Sequence, residues 1–358
     1  MEFSKVNKKY FTTRLTEWHA TDNNRSLLWK SEKDPYKIWL SEVILQQTRA
    51  LQGLPYYERF TKNFPTVKHM AAANDEDAFW LWQGLGYYNR CKNMLATARY
   101  ITSELKGKFP TDYDGLIQLK GIGPYTASAI ASFAFGLPHA VVDGNVYRVL
   151  ARYFGIDTPF DTTEGKNIFS ALAHELLDVK NSAAYNQAIM DLGATVCTPR
   201  NPLCGQCPLQ KKCIAYSQGL IRLLPVRSKK QNVKTRYFNY LLLKWKDKLW
   251  IHKRIENDIW ENLHQPYLIE TTEPLTADSL LQTKQFKNLD VTYDEITYNG
   301  SIKQRLTHQL INTSFFTINL RKKANINAYD GRWLTISELK NTAFPKTLVS
   351  FLKNNLYF

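Results

Sequence analysis

Four of the chain's five cysteines fall within seventeen residues, in the stretch CTPRNPLCGQCPLQKKC that runs from Cys197 to Cys213. Cys197, Cys204, Cys207 and Cys213 follow the spacing C-x6-C-x2-C-x5-C. Four thiolates this close can satisfy one tetrahedral site, either zinc or a [4Fe–4S] cluster. Sulfur ligands suit both, so softness does not separate them. The x6 and x5 gaps are longer than the pairs of a zinc ribbon, and Pro199, Pro202, Gly205 and Pro208 suit a loop that wraps an ion. Disulfides are a poor alternative. The opening MEFSKVNKKYFTTRLTEWHA lacks the apolar core and small-residue cleavage site of a secretory signal, and no apolar run is long enough to span a membrane. A reducing compartment, the cytoplasm, is therefore expected. Cys91 stands apart on a helical pattern and reads as a small buried hydrophobe.

The net charge of +15 favours a polyanionic partner, most often nucleic acid, although a merely basic protein would show the same number. At 358 residues the chain has room for two domains, and its texture changes accordingly. Up to about residue 217 apolar residues recur at helical spacing, over 36–60, 87–105, 164–179 and 183–197. Residues 218–236 form a basic linker; within it, IRLLPVRSKKQNVKTR has six basic residues and no acid. From 237 to 358 the pattern becomes α+β. YFNYLLLKW and LWIHKR read as strands around a tight turn, 293–320 is rich in β-branched and aromatic residues, and helical patches fall at 276–286 and 345–353.

Two short motifs stand out in the helical part. In LKGIGPYTASAIASFAFG, Gly121 and Gly123 precede a helix whose first turn holds Pro124. Glycines there free the backbone, and exposed N–H groups at a helix start make an anion site, though a plain tight turn would look the same. In VVDGNVYRVLAR, Asp143 stands just before a helix, where an Asp can serve simply as its cap.

Taken together and in this order, the glycine hairpin, the VDGNVxRVLxR segment and the cysteine loop resemble the helix-hairpin-helix DNA glycosylases that carry a GPD-type loop and a [4Fe–4S] cluster. WLSEVILQQT (39–48) and GLGYYNR (84–90) narrow the resemblance to the adenine-specific, MutY-type members. It covers about residues 10–217. It implies a mainly α, two-lobed catalytic domain (1–217), the linker, and a Nudix-like α+β domain (237–358) that inspects the base opposite the adenine. It implies one [4Fe–4S] cluster on the four cysteines, with Arg200, Lys211 and Lys212 near phosphates. The substrate would be adenine mispaired with 8-oxoguanine or guanine in double-stranded DNA. The enzyme would act as a monomer associated with the nucleoid, in base-excision repair.

The same resemblance assigns roles. Glu42, among Trp39, Leu40, Val43 and Leu45, would be the catalytic acid. An acid on an apolar helix face is costly to bury as an anion, so its pKa should rise. Asp143 would stay ionised and stabilise the cationic sugar, or bond to it. Tyr125 stands where lyase-active relatives carry a Schiff-base lysine, and Lys120 precedes the glycines, so a monofunctional glycosylase follows, with Tyr125 orienting Glu42. Arg25, Trp29, Leu45 and Gln187 would line the adenine pocket, with Leu28 in place of the family's proline. Gln47, Thr48, Leu85 and Tyr87 would contact the opposite base, Tyr87 as a wedge. Gly121, Gly123 and Asn145 would contact the DNA backbone. Leu306, Thr307 and His308 replace the family's Phe-Ser-His turn. Residues 237–358 lack the dense carboxylate box of a Nudix hydrolase, so the domain is read as a reader. An endonuclease III-like pyrimidine glycosylase/lyase and a non-catalytic DNA-binding protein with a structural metal are the alternatives.

Overall fold

The structure is a computed structural model that describes residues 4–23, 25, 30–228 and 233–355. Leu28 and Trp29, the latter assigned to the adenine pocket, lie outside the described residues. The chain divides into two compact units, Met1–Ala72 with Asn93–Lys229, and Ala73–Lys92 with Lys230–Phe358.

The described residues of the first unit form helices joined by short turns. Its central piece is the Pro35–Leu45 helix. Asp34 caps it, accepting the Tyr36 N–H, and Pro35 occupies the first turn. Eight of its eleven residues are buried, so it is apolar on all sides and carries Glu42 inside. It lies against the Pro124–Phe135 helix, where every residue from Thr126 to Ser132 is buried. Another core gathers Phe11, Leu15, Leu150, Phe154, Phe169 and Leu192 from the Lys5–Thr21, Gly144–Phe154, Thr163–Leu176 and Ser182–Thr195 helices. The helical stretch expected over 36–60 is two helices, Pro35–Leu45 and Ala50–Asn63, parted where Gln47 takes a left-handed φ of 55°. The N-terminal helix was not foreseen, although Phe11, Leu15 and Trp18 bury one face of it at helical spacing. The basic linker begins as an anchored strap. Arg152 Nε donates to the Leu224 carbonyl, and Asp161 accepts from the Ser228 N–H and hydroxyl.

The second unit is built on a mixed seven-stranded sheet of β1 (Lys234–Trp245), β2 (Lys248–Lys253), β3 (His264–Gln265), β4 (Tyr267–Thr271), β5 (Tyr293–Arg305), β6 (Gln309–Leu320) and β7 (Gly331–Thr335). The order is β3-β2-β1-β6-β5, with β1 and β6 parallel at the centre; β4 also pairs β1, and β7 pairs β2. The expected hairpin is present as β1–β2, turning at Lys246 with φ 55°. Alternation along β1 and β6 serves two faces. Leu241, Leu243, Phe316 and Ile318 join the cluster with Trp250 and Leu280. Phe315, next to Phe316 and so on the opposite face, stacks on Phe351 of the Lys346–Asn354 helix at 3.8 Å. The patch expected over 276–286 is broken at Thr283, which caps the short Lys284–Lys287 helix after Ala277–Gln282 ends.

Residues 73–92 belong to this second unit, although the sequence pattern placed them in the first domain. Specific bonds hold them there. Trp80 Nε1 donates to the Lys340 carbonyl at 3.0 Å, the Phe344 N–H donates to Gln83 Oε1 at 3.1 Å, and Lys92 Nζ reaches both oxygens of Glu261.

Candidate active site and cysteine loop

In the helical unit three predicted catalytic groups come together. Glu42 is 7% exposed, and the Tyr125 hydroxyl donates to its Oε2 at 2.7 Å. Burial pushes the Glu42 carboxyl up to about 7; the Tyr125 bond pulls it down and the nearby Asp143 charge pushes it up again. Tyr125 is locked as a phenol, because burial and the two carboxylates raise its pKa well above the usual value.

Asp143 caps a helix and lies near enough for its charge to act on Glu42. Its Oδ1 accepts the N–H groups of Asn145 and Val146, each at 2.8 Å, at the start of the Gly144–Phe154 helix. Its Oδ2 accepts from Asn145 Nδ2 at 2.6 Å. Burial moves its pKa up, while the Val146 and Asn145 donors and the Arg148 charge pull it back. Asn145 Oδ1 in turn accepts from Arg148 Nη2 at 2.8 Å, and the same guanidinium donates to the Gly193 and Cys197 carbonyls. One arginine thus ties the Asp143 cap to the first residue of the cysteine loop. Gly193 permits the close approach, since a Cβ there would stand 2.6 Å from Asn145 Cβ.

The glycine hairpin is formed as expected. Gly121 has φ +78° and Gly123 caps the Pro124–Phe135 helix with no side chain over the first turn. Both glycines are exposed, and Thr97 fixes the turn by donating to the Lys120 carbonyl at 2.6 Å.

Sequence reasoning missed a second buried carboxylate. Asp191, on the Ser182–Thr195 helix, has a fully buried side chain. Its Oδ1 accepts from Arg25 Nη1 at 2.7 Å and Gln187 Nε2 at 2.9 Å; its Oδ2 accepts from Asn23 Nδ2 at 2.7 Å and pairs with Lys30 Nζ at 2.9 Å. Two predicted pocket residues, Arg25 and Gln187, therefore meet on an unpredicted one. An acid inside the apolar run AIMDLGA was the available signal. Beside this hub opens a cavity of about 410 Å³ lined in part by Lys30, Lys33, Lys180 and Gln187; Glu42, Tyr125 and Asp143 do not line it. Leu45 is half-buried and covers Gly53. Gln47 is exposed, the Thr48 hydroxyl donates to the Gln46 carbonyl and the Thr48 N–H to that of Leu45.

Cys197, Cys204, Cys207 and Cys213 line one cavity with Arg152. Arg152 Nη1 lies 3.5 Å from Cys197 Sγ and donates to the Thr198 carbonyl, while Nη2 donates to that of Pro199. Burial and the neighbouring sulfurs push the Cys207 thiol up to about 12 and raise Cys204 and Cys213 as well, against local backbone donors. Four thiolates here need a cationic core among them. Four thiolates lining one cavity are a donor set that suits a single tetrahedral ion or a [4Fe–4S] cluster alike. Arg200 and Lys211 are exposed, whereas Lys212 lies over the Tyr10 ring at 4.7 Å.

In the second unit, the Tyr87 hydroxyl and Thr307 Oγ1 are 2.9 Å apart. Tyr87 is 48% exposed with a left-handed φ of 51°, and Arg90 stacks over its ring. Leu306, Thr307 and His308 form the turn between β5 and β6, with Thr307 and His308 exposed. Leu85 is buried at 6% exposure.

Known proteins match this arrangement. Residues 40–172 match the HhH-GPD superfamily base excision DNA repair proteins, 197–213 the iron-sulfur binding domain of endonuclease III, and 239–354 the NUDIX domain. An adenine DNA glycosylase of Buchnera aphidicola (from Schizaphis graminum) is 32% identical over 96% of this chain and 98% of its own length. The chain belongs to the adenine DNA glycosylase family. The human adenine DNA glycosylase is 41% identical over 57% of this chain and 39% of its own. The structure of a thermostable thymine-DNA glycosylase is 27% identical with a TM-score of 0.55, covering 60% of this chain and 98% of that one. Adenine DNA glycosylases are base-excision repair enzymes that hydrolyse an N-glycosidic bond, and their cysteine loop holds a [4Fe–4S] cluster. Here Cys197, Cys204, Cys207 and Cys213 would hold it, and it would tie the loop into one fold. Among the described residues no helix is long and apolar enough to cross a membrane.

Proposed function

We propose that this chain removes adenine mispaired with 8-oxoguanine or guanine from double-stranded DNA, and that it is a monofunctional hydrolase. The observation that carries this reading is Glu42, a buried carboxyl raised to about 7 whose Oε2 is engaged by Tyr125. Adenine leaves poorly as an anion. The flipped base would take the Glu42 proton at N7, the bond from N9 to C1′ would break, and positive charge would develop on the sugar. Asp143, held by three donors at a helix N-terminus, supplies the opposing negative charge. A water then attacks C1′ and gives its proton to the Glu42 carboxylate, which restores the acid. No amine occupies the Tyr125 position, so the strand stays intact.

Reading of the opposite base is assigned to the second unit. Tyr87 and Thr307 present paired hydroxyls beside an exposed ring. The ring would wedge into the stack and Thr307 would bond the opposite purine. Leu306 offers no ring beside it.

A single-turnover assay tests the whole reading, on duplexes with adenine opposite 8-oxoguanine, guanine or thymine, with and without hot alkali. Loss of adenine opposite 8-oxoguanine and guanine, breaks that need alkali, and a loss of about 10³-fold in Glu42→Gln are expected. Intact adenine in every pairing, with DNA still bound, would overturn it.

A further inference from the structure

Two exposed lysines, far apart in sequence, meet over one ring of the second unit. Lys246 Nζ stands 4.9 Å from the centre of the Trp245 ring and Lys323 Nζ 5.9 Å from it. Trp245 meets Trp333 edge to face at 6.3 Å, and both rest on the sheet core. Lys248 pairs directly across from Trp245 in the β1–β2 ladder, so its side chain leaves the same face. A ring holds an ammonium by its π-electrons and leaves the N–H donors outward, three to each lysine. Carboxylates do not take them up. Among the described residues no ion pair joins Asp247 to either lysine, Asp294 is taken by Arg321, and Glu338 accepts from the Thr335 cap. Two like charges held together in this way gain from an anion set between them.

Position separates the patch from the base-reading turn. β1 and β6 run parallel, so Trp245 and Lys323 lie at the end of the sheet opposite Leu306, Thr307 and His308. The twelve residues of β6 put the two ends about 40 Å apart. That is several Debye lengths at physiological salt, so these charges add little to the grip on DNA at the turn.

We propose that this end of the second unit binds a second stretch of DNA by its phosphodiester backbone, independently of the base-reading turn. The chemistry favours DNA over an acidic protein. A protein partner needs an aromatic or apolar anchor to pack on, and here the ammoniums already sit over Trp245. A polyanion gripped through its phosphates needs no such anchor. A molecule that holds two segments at once can pass from one to the other without first dissociating, which shortens a search along a long duplex.

The test uses the cluster-loaded Glu42→Gln protein carrying one equivalent of unlabelled duplex with adenine opposite 8-oxoguanine. A fluorescent duplex of random sequence is titrated in and its anisotropy followed. The readout is binding, so it stands whether or not the adenine assignment holds. A second duplex should bind, more weakly as salt rises. Lys246→Gln with Lys323→Gln should weaken it about tenfold and lower its salt slope by about two, one for each lysine. Lys246→Arg with Lys323→Arg should keep it. Affinity for the first duplex, and excision when Glu42 is restored, should not change. Failure of a second duplex to bind, or binding that the glutamine pair leaves intact, overturns the proposal. So does polyglutamate that binds these two lysines more tightly than DNA of equal charge, which would make the patch a dock for an acidic protein.

Discussion

Glu42 binds one more proton in the native chain than in the unfolded one between about pH 4.5 and 7. Two consequences share that window. The acid is loaded below about 7, so excision measured in single turnovers should fall as pH rises through that value, tenfold per unit once the site is ionised. Tyr125→Phe removes the donor that pulls the Glu42 pKa down, and the falling limb of the profile should move to higher pH. Stability runs the same way: the native state loses ground as pH rises from about 4.5 to 7, and the penalty is complete above about 7, where an anion must stay buried. A shift from 4.5 to about 7 corresponds to a penalty on the order of 3 kcal/mol. Glu42→Gln should therefore raise the unfolding temperature at pH 8 and change it little at pH 5, as scanning calorimetry would show. At this scale the site was legible where an odd residue broke a pattern. Glu42 stood in an apolar helix and was found; Asp191 stood in an equally apolar one and was missed, because no single motif contained the distant Asn23, Arg25 and Lys30 that complete it.

Elements set the precision of these groups. The Gly144–Phe154 and Ser182–Thr195 helices approach closely at Gly193, which faces Asn145, the residue that bonds Asp143. Gly193→Ala would place a methyl 2.6 Å from Asn145 Cβ and 3.0 Å from its carbonyl oxygen. Overpacking of this kind costs about 1–3 kcal/mol. Thermal unfolding should shift down accordingly, and excision should drop by more than DNA affinity does, because the displaced helix start carries Asp143. Helices with strong periodicity and a cap, such as Thr163–Leu176 after Thr162 and Gly144–Phe154 after Asp143, were readable directly. The Asp75–Trp82 helix was not: its apolar Phe79, Leu81 and Trp82 crowd one short stretch, and no period emerges from eight residues.

For the molecule as a whole, net charge of +15 makes DNA binding a counterion-release process. Log affinity should fall linearly with log salt, by about 0.9 for each phosphate neutralised. Lys211→Ala, exposed on the cysteine loop, should reduce that slope by about one phosphate, while excision in single turnovers stays unchanged. Composition revealed the change from helical to mixed texture near residue 217, but not that an earlier stretch crosses over. Trp80, Gln83 and Lys92 find their partners more than 160 residues downstream, at Lys340, Phe344 and Glu261. One unit is thus sewn from two lengths of chain, with most of the other threaded between them. A protease nicking the basic strap would leave both products incomplete, one holding an unmatched patch of tryptophan and glutamine and the other missing the tyrosine beside Thr307. Trimmed versions that end at the strap should accordingly aggregate or lose opposite-base discrimination, and a fragment carrying 73–92 grafted onto the sheet should regain the Tyr87–Thr307 pair.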